Sequence, residues 1–208
     1  YIYYYDGLNW QFHTKLVPPD GAPYDRFGYS VDIDQNNIVI GAVYDDDMGE
    51  DSGSVYLYSN NLNSWVLEDK LFSSNQQVDD FFGASLSIES DKLAVGSVYN
   101  DQNGFNSGSV TIFAYDALNG WQEQQILLAP DGSEYDLFGN DVDIHNGRLI
   151  VGAFHKDTEY LNSGSVYIYD YFNNMFNFNL SIHPDDQSIN DNFGLSVSVF
   201  NNYISVGS

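Results

Sequence analysis

The 208-residue chain contains no cysteine. Disulfides, thiolate metal sites and cysteine nucleophiles are therefore excluded. Basic residues are scarce too: six Lys and Arg face thirty Asp and Glu, for a formal net charge of −24. Such a surface repels nucleic acid and anionic head groups, so no nucleic-acid partner is expected. It favours cations, basic partners or plain solubility. No apolar run approaches the roughly 18 residues that span a bilayer, so no membrane insertion of this segment is expected. No signal-peptide pattern is visible. The opening YIYYYD lacks Met, which leads us to expect a true N-terminus upstream. The four His (His13, His145, His155, His183) show no His-x3-His spacing, which speaks against a transition-metal site. No Gly-rich phosphate loop appears.

What is present is apolar and aromatic. The chain is 43% hydrophobic and 16% aromatic, with 17 Tyr. That is enough for a sizeable core and argues against an acidic disordered tail. β-branched and aromatic residues fill the apolar runs, so an all-β fold is expected.

The chain repeats. Phe-Gly recurs at Phe27, Phe82, Phe138 and Phe193. Gly-Ala or Gly-Ser follows at a constant interval, at Gly41, Gly96, Gly152 and Gly207. Ser-Gly-Ser-Val recurs at Ser52, Ser107 and Ser163, and a large aromatic at Trp10, Trp65, Trp121 and Phe176. Each unit of about 55 residues reads as four short strands. Val31 and Ile33 alternate in strand one. A two-residue hairpin leads to strand two, with Asn146-Gly147 the strongest signal because both positions need positive φ. Strand three is VYLY, VTIF or VYIY, and strand four starts near the Trp. Four antiparallel strands repeated in tandem point to β-propeller blades. The units are expected near residues 1–26 (partial), 27–81, 82–137, 138–192 and 193–208 (partial), within a single domain or segment.

DRFGYSVDIDQNNIVIGAV, DFFGASLSIESDKLAVGSV, DLFGNDVDIHNGRLIVGAF and DNFGLSVSVFNNYISVGS resemble FG-GAP repeats, which build the propeller of integrin α subunits and of many surface proteins. The resemblance covers essentially the whole chain. It implies a propeller, here four repeats that either belong to a larger propeller, close through a blade shared by the termini, or form an open array. It also implies an extracellular or cell-surface location. Integrin-type repeats can carry an Asp-x-Asp-x-Asp-Gly calcium loop between strands one and two. Here that connection is two residues long in every copy, so the usual calcium site is not carried over.

The acids fall into columns. VYDDDMGEDSGSV (Val43–Val55) holds five carboxylates in seven residues: Asp45, Asp46, Asp47, Glu50 and Asp51. It is the one candidate calcium loop. Its counterparts, VYNDQNGFNSGSV and FHKDTEYLNSGSV, keep only the columns Asp46, Asp101, Asp157 and Asp51, Asn106, Asn162. Two further columns precede Phe-Gly: Asp25, Asp80, Asp136, Asp191 and Asp20, Asn75, Asp131, Asp186. An up-and-down sheet brings all of these to one end. They read either as acceptors for their own turn backbone or as a weak cation site and shared acidic binding face.

No convergent His, Lys or Arg set appears, so a non-enzymatic protein is expected. The leading expectation is an extracellular binding or adhesion module that presents the acidic face to a protein, glycan or cation. A structural repeat protein self-associating into a fibre or sheath is the alternative, and a non-catalytic accessory domain of a secreted enzyme the third.

Overall fold

The computed structural model describes residues 1–208. It contains sixteen strands and no helix. β1 (Ile2–Tyr5) and β2 (Trp10–Thr14) form a two-stranded sheet. Three four-stranded sheets follow in chain order. The first holds β3 (Val31–Asp34), β4 (Asn37–Ala42), β5 (Ser54–Asn61) and β6 (Ser64–Leu71). The second holds β7 (Phe82–Glu89), β8 (Lys92–Ser97), β9 (Ser109–Asp116) and β10 (Gly120–Leu127). The third holds β11 (Val142–His145), β12 (Arg148–Ala153), β13 (Ser165–Phe172) and β14 (Met175–Ile182). β15 (Ser196–Phe200) and β16 (Tyr203–Gly207) form a last two-stranded sheet. Every pairing is antiparallel between sequence neighbours, as the repeat predicts.

Local chemistry explains the turns. Asn146 and Gly147 both have positive φ (50° and 70°), as expected for that hairpin. The β5–β6 and β13–β14 turns do the same with Leu62-Asn63 and Asn173-Asn174. Asn tolerates this region well; Leu62 does not, and is held there by the hairpin around it. A bulge interrupts each strand-three/strand-four pair at the same place: Ile2/Tyr3, Leu57/Tyr58, Glu123/Gln125 and Ile168/Tyr169.

The sheets stack face to face, with strand one of each against strands one and two of the sheet before it. Side-chain alternation sends one residue forward and the next back. On β4 and β5, Val39, Val55 and Leu57 face forward onto Leu86, Ile88, Leu93 and Val95. Ile38, Ile40, Tyr56 and Tyr58 face back, packing with Ile2, Leu16 and Phe27. Strands two and three are therefore apolar on both faces.

The two glycine motifs meet at these junctions. A Cβ on Gly41, Gly96 or Gly152 would run into the carbonyl oxygen of Gly83, Gly139 or Gly194 in the following sheet. Those three glycines adopt φ of 91°, 87° and 96°. Gly-Ala/Ser is thus the close-approach partner of the next Phe-Gly. Within residues 1–208, β1 pairs only with β2, and β16 only with β15.

Candidate binding surface

The connections into strand one and those from strand two to strand three lie at one end of the stack and are stitched together. The Tyr44 N–H donates to the Asp25 carbonyl (3.2 Å), and the Tyr99 N–H to the Asp80 carbonyl (3.3 Å). Each loop then binds the incoming segment of the next repeat. Phe82, Phe138 and Phe193 N–H groups donate to the carbonyls of Ser52, Ser107 and Ser163 (2.9, 2.9 and 3.0 Å).

Two acidic columns serve these turns. Asp46, Asp101 and Asp157 each accept, through Oδ1, the backbone N–H five residues on (2.8, 2.7 and 2.8 Å). Those N–H groups belong to Asp51, Asn106 and Asn162, whose φ values are 49°, 53° and 50°. The Asp/Asn column is the left-handed turn residue, and the Asp column closes the loop onto it. Burial, then the charges of Asp46 and Asp79, push the Asp51 carboxyl above its ordinary pKa. Asp25, Asp80, Asp136 and Asp191 each accept the N–H three residues back, from Ala22, Gln77, Ser133 and Ser188 (2.6, 2.8, 2.7 and 2.5 Å). The bonds from Ser188 hold Asp191 below the usual carboxylate range.

The third column builds a polar core under the loops. Tyr56 Oη donates to Asp20 (2.8 Å), and Tyr167 Oη to Asp131 (2.6 Å). Lys70, from β6, brings its ammonium to Asp20, Asp45 and Asp47 at 2.8, 2.8 and 2.7 Å. Asp45 is buried there and also accepts from Tyr56 Oη (3.1 Å). Burial works against the charged lysine. The hydrogen bonds to Asp20, Asp45 and Asp47 together outweigh it and raise the Lys70 pKa above its ordinary value. The Lys70 hydrogen bond in turn lowers Asp20. Two repeats on, Lys156 reaches Asp136 at 3.0 Å, the Asp131 carbonyl at 2.5 Å and the Asp131 carboxylate at 3.8 Å. The intervening repeat is neutral at this position. Ser73 contacts Thr111 (2.8 Å) and Asn75 (2.6 Å), and the Asn100 amide donates to Asp80 (2.8 Å).

In the sequence, Asp45 reads as an addition peculiar to one loop. Its column, Asp45, Asn100 and Lys156, is instead buried in all three repeats. Lys70 and Lys156 do not stand out in the sequence at all. The usable signal is paired change within the chain: Tyr56 and Tyr167 go with Asp20 and Asp131, and Thr111 goes with Asn75. Asp47 belongs to the Lys70 cluster, and Glu50 is exposed with its carbonyl accepting from Asp79 N–H (2.9 Å). Asp186 is exposed. No group of three or more His, Asp and Glu side chains is arranged to hold a metal ion. The strand-one/strand-two turns are two residues long and do not fit a calcium loop of the integrin kind.

Stacked four-stranded antiparallel sheets, joined by glycine contacts and polar-cored loops, define a tandem β-repeat protein. The FG-GAP repeat pattern matches residues 10–58, 65–113 and 121–169, most of the chain, and the protein belongs to that family. Each matched stretch runs from strand four of one sheet through strand three of the next. Repeats of this kind occur in extracellular, integrin-like proteins, generally as non-catalytic binding modules. No curated protein matches the chain.

Proposed function

We propose that this chain is a propeller-type, non-enzymatic binding module of the cell exterior, and that its acidic loop end receives a basic segment of a protein partner. The observation that supports this is the division of labour among the charges. Lys70 and Lys156 are nearly buried inside the loops. Asp46, Glu50, Asp79, Asp101, Glu134 and Asp157 remain exposed at the same end, across consecutive repeats. Arg26 is the exposed basic exception at this end, and the predominantly acidic field over so short a span attracts a lysine- or arginine-rich stretch and speeds its arrival. A calcium ion at residues 45–51 would have to displace Lys70 from Asp45 and Asp47, which makes a basic segment the better fit. Fluorescence anisotropy of a labelled oligolysine, titrated with the protein, tests the reading. Saturable binding that weakens with added salt supports it; no binding even at low salt refutes it.

A further inference from the structure

Strand four is an edge of each four-stranded sheet: β6, β10 and β14 pair on one side only, with β5, β9 and β13. An unpaired edge is a template for another chain, and natural sheets blunt it with bulges and charge. All three edges carry the bulge, and one residue of each stands outside the ladder: Glu68, Gln124 and Asn179. All three are exposed, so the outward placement belongs to the repeat.

Charge separates the three edges. β6 reads SWVLEDKL, with Glu68, Asp69 and Lys70, and β10 reads GWQEQQIL, with Glu123. β14 reads MFNFNLSI and has no charge at all. Eight residues of this kind, without charge or proline, make a segment prone to add to other chains.

The same strand holds the acceptor for a different cover. Asn179-Leu180-Ser181 is the chain's one Asn-x-Ser/Thr triplet, the acceptor pattern for N-linked sugar. Asn179 and Ser181 are both exposed. The Asn179 amide donates to Asp170 Oδ2 (2.5 Å), while Asp170 Oδ1 accepts from Arg148 Nε (3.0 Å). The carboxylate thus takes one N–H of the amide and leaves Nδ2 a second hydrogen to exchange.

We propose that Asn179 carries an N-linked glycan that covers the β14 edge. The proposal rests on the cell-exterior reading above, since the acceptor has to enter a secretory compartment. There a transferase brings Asn179 Nδ2 to C1 of a lipid-diphosphate-linked oligosaccharide. The C1–Nδ2 bond forms, the C1–O bond breaks, the lipid diphosphate leaves with the electron pair, and one Nδ2 proton passes to solvent. The remaining Nδ2–H keeps the bond to Asp170. A sugar tree in the middle of β14 then blocks an incoming strand by bulk, where β6 and β10 do so by charge.

The test is to secrete the chain, behind a cleavable leader, from cultured animal cells. Its mass is read before and after peptide N-glycosidase, which marks a glycosylated Asn by converting it to Asp. One glycan per chain is expected, at residue 179. Asn179→Gln and Ser181→Ala are expected to lack it, and Ser181→Thr to keep it. By sedimentation, Asn179→Gln is expected to associate at a several-fold lower concentration than either the glycosylated chain or Asn179→Glu. The latter copies Glu68 of β6, and all three should share one circular dichroism spectrum. A chain recovered from medium or cells with Asn179 unmodified overturns the proposal, and the oligolysine titration still judges the loop-end reading separately. Asn179→Gln that associates no more readily than Asn179→Glu overturns the covering role.

Discussion

Lys70 and Lys156 bring an ammonium group to equivalent carboxylates, Asp20 and Asp131, from unrelated places in the repeat: one from strand four, the other from the loop after strand two. The acidic end is thus neutralised from inside at two of its loops. The middle loop has no internal ammonium: the Asn100 amide donates to the buried Asp80 instead.

Removing Lys70 leaves Asp45 buried with its charge uncompensated. Lys70→Met is expected to cost about 3 kcal/mol, read from urea unfolding, because breaking a buried pair on one side is far more damaging than losing a surface pair. Lys156→Met exposes Asp136 to the same penalty, of similar size. A change below about 0.5 kcal/mol in both, the range of exposed ion pairs, would mean the ammonium groups are not the internal counterions described here.

The turn acceptors are worth less, and their effect repeats. Asp101→Ala removes one bond to Asn106 N–H at an exposed site and is expected to cost about 1 kcal/mol. Asp157→Ala should match it, since the geometry at Asn162 is the same. Glu50→Ala, with no such bond, should lie within about 0.5 kcal/mol of wild type. Equal costs for all three would contradict the division between structural and spare carboxylates.

The sign of one pH effect follows from Asp80. Burial raises its pKa above 3.8, against the Asn100 amide and the Gln77 N–H, which favour the charged form. The folded protein then holds this proton to higher pH than the unfolded chain does. The group's contribution to stability falls as pH rises from 3.8 through the folded pKa and is lowest above it. An Asn in its place can accept both bonds without titrating. The stability of wild type relative to Asp80→Asn, from paired urea curves, should therefore rise as pH drops from about 7 toward about 4. A difference that is flat with pH contradicts the assignment.

Calcium should do little. Asp45, Asp46 and Asp47 of the 45–51 loop already face Lys70 or their own backbone, so the melting temperature of the wild-type protein is expected to be the same in chelator and in millimolar calcium. A ligand that bound only the folded state would raise it. A clear upward shift would show that calcium displaces the lysine.

Much of the fold is legible because a repeat compares a sequence with itself. Four aligned copies place strands, turns and the Phe-Gly and Gly-Ala motifs, and alternation at Val31/Ile33 or Leu86/Ile88 gives the faces. What the motifs do is not legible: Gly41 and Gly83 are 42 positions apart in number, and only stacking brings one backbone against the other. The site is half legible. Asp46, Asp101 and Asp157 stand out because their bonds are local to each loop. Lys70 does not, because its partners Asp20 and Asp45 come from two other connections and its role passes to a different column two repeats later. The resemblance allows a segment of a larger propeller, closure through a blade shared by the termini, or an open array; within residues 1–208 the two terminal sheets have two strands each.

The proposed binding surface consists of the exposed carboxylates of the loop end, and not of the overall negative charge. The direct measurement compares oligolysine affinity, by anisotropy at one salt concentration, for two variants with equal charge change. One carries Glu50→Gln, Glu134→Gln and Glu159→Gln at the loop end. The other carries Asp34→Asn, Asp91→Asn and Asp116→Asn beside the opposite turns. A several-fold loss is expected in the first and near wild-type affinity in the second. Equal losses would reduce the acidic face to net charge alone and contradict this assignment.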